Sequence, residues 1–94
     1  MAADKLWMSP CYERASVAFH FTWKQNWPEV QKLLRVIEEQ LASFDARPHW
    51  GKLFTMSSAR LQSLYAKLSE FRQLLQSHDP NGKFRNAFMD TYIF

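Results

Sequence analysis

At Asn26 the apolar pattern of this chain changes period, and no other feature constrains the fold as strongly. Upstream, "RASVAFHFTWK" (14–24) alternates, with Val17, Phe19, Phe21 and Trp23 on one side and Ser16, Ala18, His20 and Thr22 on the other. Such alternation places successive side chains on opposite faces of a β-strand. Downstream, Val30, Leu33, Leu34, Ile37, Leu41 and Phe44 recur at helical spacing, which predicts an amphipathic helix over 27–44. Asn26 is placed to cap it, Pro28 falls in its first turn, and Glu29 three residues after the cap makes a near capping box. With a second short extended stretch over 49–54, the expectation is an α+β fold: a small antiparallel sheet with amphipathic helices packed on one face.

The rest of the chain continues the helical theme. Leu61, Leu64, Tyr65, Leu68, Phe71, Leu74 and Leu75 follow two serines able to cap a helix, and a break near Lys67 is expected. "DPNG" (79–82) carries strong turn chemistry, with Pro80 preset for the first central position and Gly82 free to take positive φ. The tail ends in Phe88, Tyr92, Ile93 and Phe94, a cluster that must pack against something.

A chain of 94 residues makes one domain at most, and it buries a smaller share of its surface than a domain of ordinary size. It is nevertheless 47% hydrophobic and 16% aromatic, which points to surfaces meant to meet another protein segment. "MAADK" followed at once by the strand-like "LW" also reads as a start joined to an internal segment. A formal charge of +3 comes from twelve basic residues interleaved with nine acidic ones, so no basic stripe forms and nucleic-acid binding is not expected. Cys11 is the single cysteine, and no apolar run is long enough for a membrane span, so a reducing cytoplasm is the expected location.

The spacing of Cys11, His20, His49 and His78 contains no CxxC or HxxxH pair, which argues against a zinc site. No oxyanion-hole glycine or orienting residue is recognisable beside Cys11 for a cysteine hydrolase, and a small buried apolar residue describes that position as well. His20 and Thr22 admit two readings: the polar side of a half-exposed strand, or two hydrogen-bonding groups aimed together into a polar cavity. Lys52 stands between Trp50 and Phe54, whose large rings usually mark burial. A lysine held among buried rings needs an anion or polar ligand, because an unpaired buried charge is costly. Gly51 would let the backbone approach something closely there.

Three blocks carry a family resemblance: "LWMSPCYERASVAFHFTW", "RPHWGKLF" and "DPNGKFRNAF". They resemble consecutive parts of the C-terminal substrate domain of FAD-dependent alditol oxidases, the xylitol and sorbitol oxidases. These are related to the D-arabinono-1,4-lactone and L-gulono-1,4-lactone oxidases, flavoenzymes of the vanillyl-alcohol-oxidase type. His49-Trp50-Gly51-Lys52 looks like the His-Trp-x-Lys motif shared by the lactone and alditol branches, while "HFTW" is closer to the alditol branch. Ala66 after Tyr65 departs from many relatives, which place a proline there.

The resemblance implies that residues 1–94 are one unit, the C-terminal part of a substrate (cap) domain, with the FAD-binding domain, a Glu-x-Arg pair and a substrate-binding serine lying outside it. It implies Lys52 as the catalytic residue and a substrate contact, His20 and Thr22 as contacts to polyol hydroxyls, and His49 as a contact to FAD. No metal is implied. The implied reaction is oxidation of a primary alcohol of a xylitol- or sorbitol-type polyol, the isolated chain being inactive by itself. A sugar-1,4-lactone substrate and a stand-alone protein-interaction module are the alternatives. The partners implied are the polyol and the FAD domain of the same polypeptide, and missing sheet neighbours predict self-association.

Overall fold

The computed structural model describes every residue from Met1 to Phe94 and is built from helices and connecting segments, without a β-strand. Helix α1 spans Trp27–Leu41 and runs into a 3-10 turn over Ala42–Phe44; α2 spans Ser58–Ser63, α3 Leu68–His78 and α4 Ala87–Tyr92. The helix expected over 27–44 is therefore present, tightened in its last turn. Its N-terminus differs in detail: the Asn26 side chain makes no capping hydrogen bond, and Glu29 pairs with Lys32 at 2.9 Å instead of reaching back. Ser57 does cap α2, accepting from the Arg60 N–H, and Asn86 caps α4 by accepting from the Met89 N–H. The helical run after Ser57 is interrupted where expected, with Lys67 at the N-cap of α3.

The expected antiparallel sheet is absent. The sole β-type pairing is an isolated parallel bridge between Asp4 and Tyr12. Residues 15–24 carry the alternating pattern, yet no backbone N–H from Val17 to Gln25 is donated within the chain. Val17, Phe19 and Phe21 are 77%, 67% and 45% exposed. Alternation describes what a strand offers to a sheet, but a strand persists only where a neighbour accepts its hydrogen bonds and covers its apolar face. Nothing in this chain does either. The second extended stretch is corrected as well: 49–52 is a turn, closed by the Lys52 N–H donating to the His49 carbonyl at 3.0 Å.

The core lies between α2, α3 and α4. Leu61, Leu64, Tyr65, Leu68 and Ile93 are buried together, with Met8, Trp50, Phe54, Phe71 and Phe94 packed around them. The apolar tail thus finds its surface, through Ile93 in particular. Gly82 takes φ +66° in the turn after α3, whose Asp79 carboxylate accepts from the Lys83 and Phe84 N–H groups. Helix α1 joins this body through Glu38, whose two carboxylate oxygens accept from the N–H and the hydroxyl of Thr55, each at 2.6 Å.

Candidate functional site

The turn "HWGK" is the best-defined candidate, and its geometry starts with Trp50. The indole N–H of Trp50 donates to the Met8 carbonyl at 2.8 Å, and its ring stacks on Tyr65 at 4.9 Å between centroids. A large ring anchored at both its polar and apolar parts fixes the backbone that carries it. With Trp50 turned inward, His49, Gly51 and Lys52 on either side of it are exposed. Phe54 turns inward again, against Phe88 and Tyr92 of α4. Lys52 is therefore presented outward between two half-buried anchors, rather than held among the rings as its neighbours suggested.

His49 has a defined role for one nitrogen: its Nδ1 accepts from the Gly51 N–H at 3.0 Å. A neutral imidazole accepting at Nδ1 carries its proton on Nε2, leaving that nitrogen as a hydrogen-bond donor. The Lys52 ammonium makes no hydrogen bond or ion pair within the chain. The turn thus offers two free donors, the Lys52 ammonium and the His49 Nε2–H, beside a glycine with no side chain to cover its backbone.

His20 and Thr22 lie on the open 15–24 segment, on the side opposite Phe19, Phe21 and Trp23 in the alternation. Phe21 and Trp23 do stack on one another, at 5.4 Å, as same-side residues of an extended chain can. No hydrogen bond joins His20 or Thr22 to Lys52 or His49. A surface cleft of about 570 Å³ lies elsewhere, lined by Leu75, His78, Asp79, Phe84, Arg85 and Phe94, and includes none of these residues. No three His, Cys, Asp or Glu gather as metal ligands, and no helix is long and apolar enough to cross a membrane.

Arg47 is a residue that reading the sequence passed over. Its Nε donates to the Leu64 carbonyl at 3.0 Å, and one Nη donates to the carbonyls of Pro10 and Tyr12 at 3.2 and 3.1 Å. Its guanidinium also sits 5.2 Å from the Tyr65 ring centre. Burial first, and then neighbouring Arg14, draw its pKa below the usual arginine value. Its charge persists and ties the 10–12 segment and Leu64 to its own, beside the Tyr65 ring on which Trp50 also packs. Tyr65, 3% exposed, has no hydrogen-bond partner for its hydroxyl in the chain. Burial pushes that phenol up to about 12. The only sequence signal for Arg47 was a cation placed among apolar residues, and nothing local indicated carbonyls from residues 10, 12 and 64.

These features describe an apolar body that displays a cationic, hydrogen-bond-donating turn. The sequence profile of the D-arabinono-1,4-lactone oxidase family matches residues 1–92. An alditol oxidase from a Streptomyces species is 46% identical over 95% of this chain. An L-gulonolactone oxidase of Mus musculus is 23% identical over 97% of it, and an L-gulono-1,4-lactone dehydrogenase of Mycobacterium tuberculosis 28% over 93%. The chain belongs to the D-arabinono-1,4-lactone oxidase family. It spans 21% of the length of the Streptomyces relative and 20% of the mycobacterial one.

Proposed function

We propose that this chain is the C-terminal part of the substrate domain of an FAD-dependent alditol oxidase, supplying one wall of its active site. The observation that carries the reading is the anchored, exposed turn whose Lys52 ammonium and His49 Nε2 make no hydrogen bond within the chain. The similarity to the alditol oxidase, at 46%, supports a polyol over a lactone. The Cα radius of gyration, 14.6 Å, supports a part over a whole, since a compact domain of 100 residues measures about 13 Å. The open 15–24 segment then pairs with strands from the rest of the polypeptide, and in their absence the isolated chain self-associates. A cytoplasmic location fits the single free thiol, Cys11.

The donor set suits the implied cofactor. A flavin ring edge carries carbonyl oxygens and ring nitrogens that accept hydrogen bonds, and the turn offers donors at His49 Nε2 and Lys52 Nζ. FAD itself is held mainly by a domain outside these residues. The chemistry it supplies when bound is hydride acceptance from the alcohol carbon, with the electrons passed on to oxygen to give hydrogen peroxide. Lys52 orients the reacting hydroxyl and stabilises negative charge developing there and at the ring edge. His20 and Thr22 bind hydroxyls further along the polyol, and each such contact discriminates against a substrate lacking that hydroxyl.

The test is hydrogen peroxide release by the full-length protein with xylitol, sorbitol and a sugar-1,4-lactone. Lys52→Ala is expected to lower turnover by roughly 10²-fold or more, as loss of a charge-stabilising donor does. Thr22→Ala is expected to raise KM for the polyol by about tenfold, the worth of one hydrogen bond in a buried site. Wild-type turnover in Lys52→Ala would overturn the assignment. A lactone preferred over both polyols would move the protein to the branch of the gulonolactone relatives.

A further inference from the structure

Helix α4 contributes no donor to the candidate site, yet one of its residues reaches both anchors of the turn. Phe88, in its first turn, lies 6.4 Å from the Trp50 ring centre and 6.4 Å from that of Phe54, edge-on to both at 80° and 76°. Trp50 and Phe54 bracket Lys52 in sequence, so a single ring closes a brace across the base of the segment that presents it. Tyr92, one helical turn later, meets Phe54 and Phe88 at 5.1 and 5.0 Å. Phe88 itself remains 40% exposed, whereas the residues that hold the core, Leu61 and Ile93, are 0% and 5% exposed. Its contacts are thus spent on the turn more than on the core.

We propose that Phe88 is a positioning residue for Lys52, setting the direction of its ammonium through Trp50 and Phe54. The proposal rests on the reading of Lys52 as the catalytic residue. The Trp50 indole bond to Met8 holds one end of the segment. Phe88 joins that end to Phe54, so that the exposed residues between them move as one piece with α4. The Asn86 cap, which accepts from the Met89 N–H at 2.9 Å, fixes the start of α4 and hence the placement of Phe88.

The experiment compares Phe88→Leu, Phe88→Tyr and Lys52→Ala in the full-length protein, reading kcat and KM for a polyol, and amide hydrogen exchange with no substrate present. Phe88→Leu is expected to lower kcat about tenfold, since small misplacements of a catalytic group are costly. KM should stay within about twofold, as expected when an interaction specific to the transition state is lost. Exchange should quicken in peptides covering 49–54, where the Lys52 amide closes the turn, and not in α3. Phe88→Tyr, which keeps the ring at a position 40% exposed, should restore both. If Phe88→Leu leaves turnover and local exchange unchanged while Lys52→Ala is inactive, the positioning role is overturned and the site reading stands. The same holds if exchange quickens equally in α2 and α3, the mark of a merely structural residue. Wild-type turnover in Lys52→Ala would overturn the site reading and the proposal together.

Discussion

The two most aromatic regions of this molecule behave in opposite ways. Trp50, Phe54, Tyr65, Phe88 and Tyr92 form a continuous set of ring contacts around the buried leucines of α2 and α3. In 15–24 the one ring contact is Phe21 on Trp23, and Phe19 and Phe21 stay 67% and 45% exposed. Both regions are rich in large aromatic rings. They differ in where their partners lie. Helices satisfy their own backbone within one segment and need only a face to bury, so α2, α3 and α4 complete each other inside 94 residues. An extended segment needs a second segment for every backbone hydrogen bond it makes.

That contrast is most directly broken in the core. Leu61→Ala, at a site with no exposed surface, is expected to cost about 2–5 kcal/mol in urea unfolding. Phe19→Ala in the same chain should stay within about 0.5 kcal/mol, as surface changes do. Equal losses from the two would mean that the 15–24 segment has a partner within the chain. The same Phe19→Ala change made in the full-length protein should become strongly destabilising if a sheet neighbour covers it there.

Arg47→Met tests whether the helical region depends on the loops it packs against. Removing the guanidinium leaves the carbonyls of Pro10, Tyr12 and Leu64 without their donor, and a loss of about 3 kcal/mol is expected for hydrogen bonds to a charged group. A loss confined to faster exchange near residues 10–12, with an unchanged melting temperature, would show that the N-terminal loop is only loosely attached.

The two glycines sharpen the comparison at the level of single turns. Gly82 has φ +66°, and a Cβ there would meet Arg85 Cδ at 3.1 Å. Gly82→Ala should therefore cost about 1–2 kcal/mol, the penalty for placing an L side chain in the left-handed region. Gly51 has no such demand, since a Cβ would meet only the His49 ring, at 3.4 Å or more. Gly51→Ala is expected to leave thermal stability within about 0.5 kcal/mol. A large activity loss in full-length Gly51→Ala with stability unchanged would show that a ligand approaches the backbone at that point.

The smallest effect at neutral pH belongs to Tyr65. Its folded pKa is raised by burial to about 12, above the unfolded value of about 10. Below pH 10 both states hold the proton and the group is indifferent to pH. Between about 10 and 12 the unfolded chain releases the proton and the folded one keeps it, so stability falls as pH rises. Tyr65→Phe should flatten that alkaline decline in melting temperature. It should change stability little at pH 7, because the hydroxyl it removes has no partner in the chain. An unchanged alkaline slope in the variant would assign the decline to other groups.

Much of this architecture was legible residue by residue. The period of Val30, Leu34, Ile37 and Leu41 identified α1, Ser57 and the break at Lys67 were read correctly, and Gly82 needed the positive φ its turn implied. The candidate residues His20, Thr22, His49 and Lys52 came from the residue types and the "HWGK" order that carry the family resemblance, and the turn that holds two of them is present. Its arrangement was not legible. Lys52 was expected among buried rings and faces outward, since Trp50 and Phe54 are drawn inward by Met8, Tyr65 and Phe88 from three other segments.

What the sequence alone determined is therefore everything that depends on neighbours a few residues away: helix periods, caps, turn chemistry and the identity of the donors on the turn. Whether "SVAFHFTW" becomes a strand, where Arg47 sends its hydrogen bonds, and which way Lys52 points were decided only in three dimensions. The physical reason is common to all three. Each is settled by backbone groups or rings distant in the chain, and a local pattern states what a segment offers without stating what receives it.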